Sequence, residues 1–308
     1  MAALEEAAAP AKESTGWALA GLALLAVVWG TQYEVIRGGQ ATAAPLLTAA
    51  LRFGTVAVVG QLATLVLRCK APPGTLGARI GFGLAQGVSM SLLYSAQSVL
   101  PASLTAVLFL TSPFFVAGLA HRFSPGERLT LPMAAALLLG FVGVVTLVSG
   151  AGSTAPSTAA PTFTAGVACV AALAGAFTGA TNKVLAKRLT ADVPMPVMLR
   201  DMGVVVTFVA GAGWLLFQRD AAVAFDGRGV ASFLYLGLVA SAAASGLYLV
   251  LLRRYRVSAL SYLQFVSALV AVVVGAFLTG TRFTSLTVGG TLAVLAGLAV
   301  LARAQTRR

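Results

Sequence analysis

The stretch Ser98–Leu131, SVLPASLTAVLFLTSPFFVAGLAHRFSPGERLTL, decides how the chain is read. It opens on the turn Leu100-Pro101-Ala102-Ser103. Pro101 can start a helix there, because the N–H it lacks would be unpaired in a first turn anyway. About eighteen almost wholly apolar residues follow, interrupted once by Thr111-Ser112-Pro113, and they stop at the polar run His121–Arg128. At about 1.5 Å per residue such a helix covers roughly 30 Å, the thickness of the hydrocarbon in a bilayer. The stretch reads as a membrane span with a weak point at its middle proline.

Working outward, the rest of the chain is of the same kind. Hydrophobic residues make up 58% of the 308, charged residues 10%, and mean hydropathy is +0.92. Soluble chains carry roughly 25% charged residues, so this one could not cover its surface with polar groups in water. The fold class expected is all-α and integral to the membrane, with ten transmembrane helices. The apolar runs fall at about 17–36, 45–67, 78–98, 103–121, 131–149, 163–184, 196–217, 229–252, 258–279 and 284–302. Residues 1–16 and 303–308 are expected as cytoplasmic tails. Residues 17–149 and 163–302 form two five-helix units, joined by the small-residue linker Gly150–Thr162. Near the N-terminus, Glu5, Glu6, Lys12 and Glu13 exclude a positive leader region, so the first span is expected to be retained.

The net charge of +12 is spread in small groups between apolar runs, which argues for topology and against nucleic acid as a partner. Of the 21 Lys and Arg, fifteen lie in the tails and in loops 2–3, 4–5, 6–7 and 8–9. Arg37, Arg219, Arg228 and Arg282 lie on the other side, and Arg52 and Arg200 fall inside spans. Both ends are therefore expected in the cytoplasm, in a plasma or inner membrane. Cys69 and Cys169 are expected towards opposite faces and unpaired.

The second half echoes the first. At an offset of 148, Leu51 and Arg52 meet Leu199 and Arg200; at 154, Gly83, Ser91, Tyr94, Phe123 and Gly143 meet Gly237, Ser245, Tyr248, Phe277 and Gly297. An odd number of spans per copy makes the copies face opposite ways across the membrane, an inverted repeat. That architecture belongs to transporters with a substrate site at mid-membrane between the halves.

Trp29-Gly30, Leu51-Arg52-Phe53, Leu100-Pro101-Ala102-Ser103, Ser112-Pro113, Gly126-Glu127-Arg128 and Gly140/Gly143 occur in this order along the first copy. In order and spacing the chain resembles the EamA-type members of the drug/metabolite transporter superfamily. The resemblance implies a five-plus-five inverted repeat around a central cavity, and export or exchange of small metabolites such as amino acids. It also leaves open a drug carrier or a sugar-phosphate or nucleotide-sugar carrier of the same superfamily, and a non-transporting membrane scaffold. Thr281, Ser267 and Phe177 depart from the pattern in the second copy, where Glu, Pro and the counterpart of Trp29 would stand.

The candidate substrate-binding residues follow from polarity inside apolar spans. A cation in a span costs about 2.5–3.5 kcal/mol on insertion scales and so pairs, snorkels or lines a cavity. Arg52 lies roughly 10 Å deep, counted from Pro45, with Glu34 as its expected partner; the alternative is a pair that merely locks helices 1 and 2 together. Arg200 forms the corresponding group with Asn182, Lys183 and Asp201. Lys183, Lys187 and Arg188 are expected to reach for lipid headgroups. On helix 3, Gln86, Tyr94 and Gln97 share an arc with Gly83, Gly87, Met90 and Ser91, leaving Phe82, Leu92, Leu93 and Val99 for lipid. Trp29, Gln32 and Tyr33 end helix 1, and Tyr248, Tyr262 and Gln264 are the second-half candidates. Pro113 is the candidate hinge. Glu127-Arg128 is expected to pair within its loop.

An enzyme is not expected: the single histidine, His121, stands beside Arg122, and no metal-ligand or nucleophile motif is present. No cofactor is implied, and no phosphate-binding loop for ATP. The expected partners are the lipid bilayer, a small-molecule substrate and, through Glu34 or Asp201, protons as a coupling ion.

Overall fold

The computed structural model describes residues 14–40, 43–100, 102–124, 127–150, 162–220, 227–279 and 284–306. Every regular element among them is helical. Ten helices follow one another: α1 Ser14–Gln40, α2 Pro45–Val66, α3 Leu76–Gln97, α4 in two pieces (α4a Ala102–Phe109 and α4b Ser112–Phe123), and α5 Leu131–Gly150. The second set is α6 Thr162–Leu189, α7 Met195–Phe217, α8 Gly227–Arg254, α9 in two pieces (α9a Val257–Ser261 and α9b Leu263–Thr279), and α10 Ser285–Thr306. Within α8 the stretch Tyr235–Ala243 is wound as a π-helix. Among the described residues eight helices are long and apolar enough to cross a membrane. The less apolar α1 and α3, at 27 and 22 residues, complete the ten. The linker lies almost wholly outside the described residues, as do Pro101, Thr281 and Arg282.

Two pairs of equivalent helices, α2 with α7 and α5 with α10, pack on each other in opposite directions. Thr207 donates to Ala50 O at 3.4 Å, Gly203 lies against Phe53 and Ala57, and Gly60 against Leu199 and Arg200. Numbers rise along α2 as they fall along α7, so the pair is antiparallel. Gly297 against Ala136, Gly143 against Gly290 and Val294, and Gly290 against Leu147 show the same for α5 and α10. The remaining contacts obey the same symmetry: α3 packs on α6 and α7 as α8 packs on α1 and α2, and α4b packs on α6 as α9b packs on α1. Five spans per repeat invert the second one, and the antiparallel pairing is the physical form of that inversion.

Glycine allows these crossings. A Cβ on Gly60 or Gly203 would run into the facing helix backbone, so α2 and α7 approach as closely as two helices can. In lipid this close packing replaces the hydrophobic effect as the force between helices. The outer surface is apolar, with Leu62, Leu65, Val66, Phe208, Phe217 and Leu292 more than half exposed. That belt fits hydrocarbon and not water.

The lipid face of α3 differs from expectation. Phe82 and Leu93 are buried, because α6 packs on that side through Gly175 and Gly179. Asn182 Nδ2 donates to Phe82 O at 2.8 Å, and Ser89 Oγ to Gly175 O at 2.7 Å. The exposed stripe is Ile80, Leu84 and Val88, one residue per turn. Helical periodicity gave the arc of small and polar residues, but it could not tell that two sides of α3 are covered.

Helix 4 is broken at Leu110–Thr111, which places Pro113 in the first turn of α4b, where no helix hydrogen bond is lost. Helix 9 breaks too, at Tyr262, although Ser267 stands where a proline would correspond to Pro113.

Candidate functional site

The centre of the molecule is organised by Arg52. Pro45 sets the first turn of α2, and Gln218 at the end of α7 accepts the Leu46 N–H there at 3.0 Å, which fixes how α2 enters. Seven residues on, Arg52 is buried at 5% exposure. Its Nε donates to Ser241 Oγ of α8 at 2.5 Å, Nη1 to Tyr94 Oη of α3 at 3.2 Å, and Nη2 to Gln32 Oε1 of α1 at 2.7 Å. The guanidinium lies 5.5 Å from the Phe53 ring centroid. Three helices of the first repeat and one of the second thus meet at one cation. These acceptors are all neutral, so they hold the guanidinium in place without cancelling its charge.

A second layer knits α1 to α8. Thr31 Oγ1 and the Tyr235 hydroxyl are 2.8 Å apart. Trp29 Nε1 donates to Ala240 O at 3.3 Å, and its ring lies 5.5 Å from that of Tyr248. Tyr235, Ala240 and Ser241 all belong to the π-wound stretch of α8. The wider winding rotates the following residues relative to an α-helix and brings these groups to one side. Nothing in the sequence signalled it, and Ser241, which Arg52 needs, was missed for the same reason.

Several polar groups of α3, α8 and α9b are buried without a hydrogen bond among the described residues: Ser91 Oγ, Tyr248 Oη beside Trp29, and Gln264 Oε1. Gln86 and Gln97 are half-buried. Polar atoms orphaned in an apolar medium cost free energy unless something binds them. Tyr262 is not brought to Arg52. Its hydroxyl donates to Val294 O at 2.7 Å, and its ring packs against Gly140 and Gly297, in the α5/α9/α10 seam. The side chains of Tyr33 and Glu34 lie outside the described residues, and with them the expected Arg52–Glu34 pair.

Arg200, the repeat-equivalent of Arg52, has a different setting. Asp201 Oδ1 accepts from Arg200 Nε at 2.7 Å, and Asp201 Oδ2 from Arg79 of α3. Arg79 is buried, and its Nε also donates to Thr75 Oγ1 at 3.1 Å. At an offset of 148, Asp201 corresponds to Phe53. One repeat places a carboxylate beside its arginine and the other a phenyl ring.

Two loop expectations are corrected. Glu127 does not pair within its loop: it is buried, its Oε1 accepts from Val257 N at 2.7 Å, and its Oε2 accepts from Ser258 N at 3.1 Å and from the Ser258 hydroxyl. A carboxylate on the open N–H groups of a helix start is the stronger partner for both. Lys187 and Arg188 do not simply reach for lipid. Lys187 Nζ donates to Leu252 O at 2.6 Å and Tyr255 O at 2.8 Å, and Arg188 Nε to Phe123 O at 3.0 Å. Each satisfies the orphan carbonyls at the end of a neighbouring helix. Among the described residues no group of three or more His, Cys, Asp or Glu side chains could hold a metal ion.

A model of the EamA-like transporter family matches residues 16–149 and again 166–303, one copy on each set of five helices. The chain belongs to the EamA-like transporter family. It is therefore an integral multi-pass membrane protein of a transporter family, with lipid around it. Among relatives of this EamA-like chain are two proteins described as a probable amino-acid metabolite efflux pump. One, from Salmonella typhimurium, is 27% identical over 287 residues, covering 89% of this chain and 91% of the relative. The other, from Escherichia coli K12, is 27% identical over 288 residues with the same coverage. A solved crystal structure aligns with a TM-score of 0.78 at 20% identity, covering 96% of this chain and all of the other; this shows a shared fold.

Proposed function

We propose that this EamA-like protein exports a small amphoteric or anionic metabolite of the amino-acid class by alternating access, with Arg52 as the anchor for the substrate carboxylate. The observation that carries this reading is a buried arginine whose neutral acceptors come from both repeats. A guanidinium matches a carboxylate in a bidentate fork, and here it is held rigid by three hydrogen bonds before any substrate arrives. The orphaned Ser91, Tyr248 and Gln264 then supply polar groups for the rest of the cargo, and Trp29 and Tyr248 an aromatic wall. Gln86, Gln97 and Gln32 extend the polar lining. The relatives described as amino-acid metabolite efflux pumps favour this cargo. The chain ends lie in the cytoplasm of a plasma or inner membrane in this reading, as the distribution of Lys and Arg favours.

The test is counterflow of labelled amino acids in proteoliposomes, with and without a pH gradient. The wild-type protein gives saturable exchange. Arg52→Gln lowers it roughly thirty-fold or more, the scale of losing one partner of a buried charged pair, with unchanged insertion and a folded, cooperatively melting protein. An Arg52→Gln protein that inserts normally and still transports would overturn the assignment, and one that misfolds would favour a purely structural Arg52.

A further inference from the structure

At the face where α1 begins and α10 ends, a pocket of about 310 Å³ opens between the ends of α4b, α6, α8 and α9a. Lys187, Arg188, Arg254 and Arg256 line it, with Glu127 as the one acid. Glu127 is spent on the start of α9a, and Lys187 and Arg188 on helix-end carbonyls. None of these interactions removes the excess of positive charge. Arg254 lies 5.1 Å over the Trp17 ring, an aromatic in the first turn of α1. Arg256 is half-buried, its carbonyl accepts from Leu260 N, and its side chain makes no hydrogen bond or ion pair to any described residue. Ser124, at 8% exposure, also lines the pocket, and its hydroxyl is buried with no hydrogen-bond partner among the described residues.

We propose that this pocket binds a phosphate-type oxyanion, either the headgroup of an anionic phospholipid or the free anion. The chemistry is that of a half-buried arginine whose side chain has no ion pair among the described residues, a second arginine at the rim, and an orphaned hydroxyl able to donate to an oxyanion. The site stands apart from Arg52 and does not depend on what the protein carries. An oxyanion here bridges α8 and the start of α9a to the end of α4b, so occupancy ties together helices from both repeats.

The experiment uses the purified full-length protein in neutral detergent, with binding of phosphatidylglycerol, phosphatidylcholine and inorganic phosphate followed by native mass spectrometry and melting temperature. Phosphatidylglycerol is expected to bind in preference to phosphatidylcholine, or inorganic phosphate to raise the melting temperature above equal ionic strength of chloride. The first outcome assigns the headgroup and the second the free anion. Arg256→Gln weakens the interaction about tenfold, the scale of one charge-assisted hydrogen bond. Arg254→Gln, at an exposed side chain, gives the same direction should Arg256→Gln fold poorly. Lys70→Gln, an exposed cation outside the pocket, leaves binding unchanged. The proposal is overturned if neither probe is preferred over its control, or if Lys70→Gln weakens binding as much as Arg256→Gln.

Discussion

A guanidinium about 10 Å inside hydrocarbon loses its water, and what replaces that water sets its chemistry. At Arg52 the replacement is a hydroxyl, a phenol, an amide oxygen and a ring face; at Arg200 it is a carboxylate. Two side chains at equivalent positions therefore differ in the described groups that face them, neutral at Arg52 and anionic at Arg200. Tyr94→Phe tests this at the smallest scale, since it removes one acceptor and keeps the buried ring. Transport affinity is expected to fall a few-fold and stability by about 1 kcal/mol, the ordinary net worth of one hydrogen bond. Michaelis constants in proteoliposomes, alongside denaturation in detergent, check both. An unchanged constant would remove Tyr94 from the site. That Arg52, Tyr94, Gln32 and Trp29 need polar partners was legible in the sequence, because polar side chains in a span do, but that Arg52 meets Tyr94 and Gln32 was not. Ser241 was not, because a serine among alanines in a small-residue helix carries no such signal. Tyr262 shows the converse: the rule that it needs a partner held, but the partner is a backbone carbonyl in a helix seam.

Helix ends and crossings are where side-chain pattern stops being informative. The ten helices and the two repeats could be read from hydropathy and offset, because lipid imposes length and apolarity on every span. Glu127 could not be placed, since its partners are main-chain N–H groups 130 residues away. With Glu127→Ala, α9a is expected to lose its cap and the protein about 1–3 kcal/mol, measured as a drop in melting temperature. Crossings give a sharper comparison. Gly60→Ala puts a methyl group against the Arg200 backbone, whereas Gly81→Ala meets nothing within 4 Å. The first is expected to cost roughly 1–3 kcal/mol or more and the second nothing measurable. Both breaks, at Leu110–Thr111 and at Tyr262, interrupt the fourth helix of each repeat within two or three residues of equivalent positions, which suits bending there. Pro113→Ala is expected to slow counterflow with little change in substrate affinity, and unchanged turnover would remove the hinge role.

For the whole molecule, antiparallel packing of α2 on α7 and of α5 on α10 relates the two halves as an inverted pair, and in the proposed cycle they exchange roles by a small rocking motion. At the face where α1 begins, two charged side chains interlock those halves: Glu127 of the first repeat holds the start of α9a, and Arg188 of the second holds the end of α4b, while Lys187 ties α6 to the end of α8 within the second repeat. In the proposed export cycle these bonds are released when the protein loads from that face, so they would favour the state closed on that side. The orientation this requires can be measured directly. In a Cys69→Ser, Cys169→Ser background, Ser157→Cys in the linker is expected to react with an impermeant maleimide applied to intact cells. Ala304→Cys, near the end of α10, is expected to react only after permeabilisation. Five spans in each half permit no other combination if the termini are inside. Labelling of both positions from the same side would mean that one helix does not cross, and the two halves could then not alternate around Arg52.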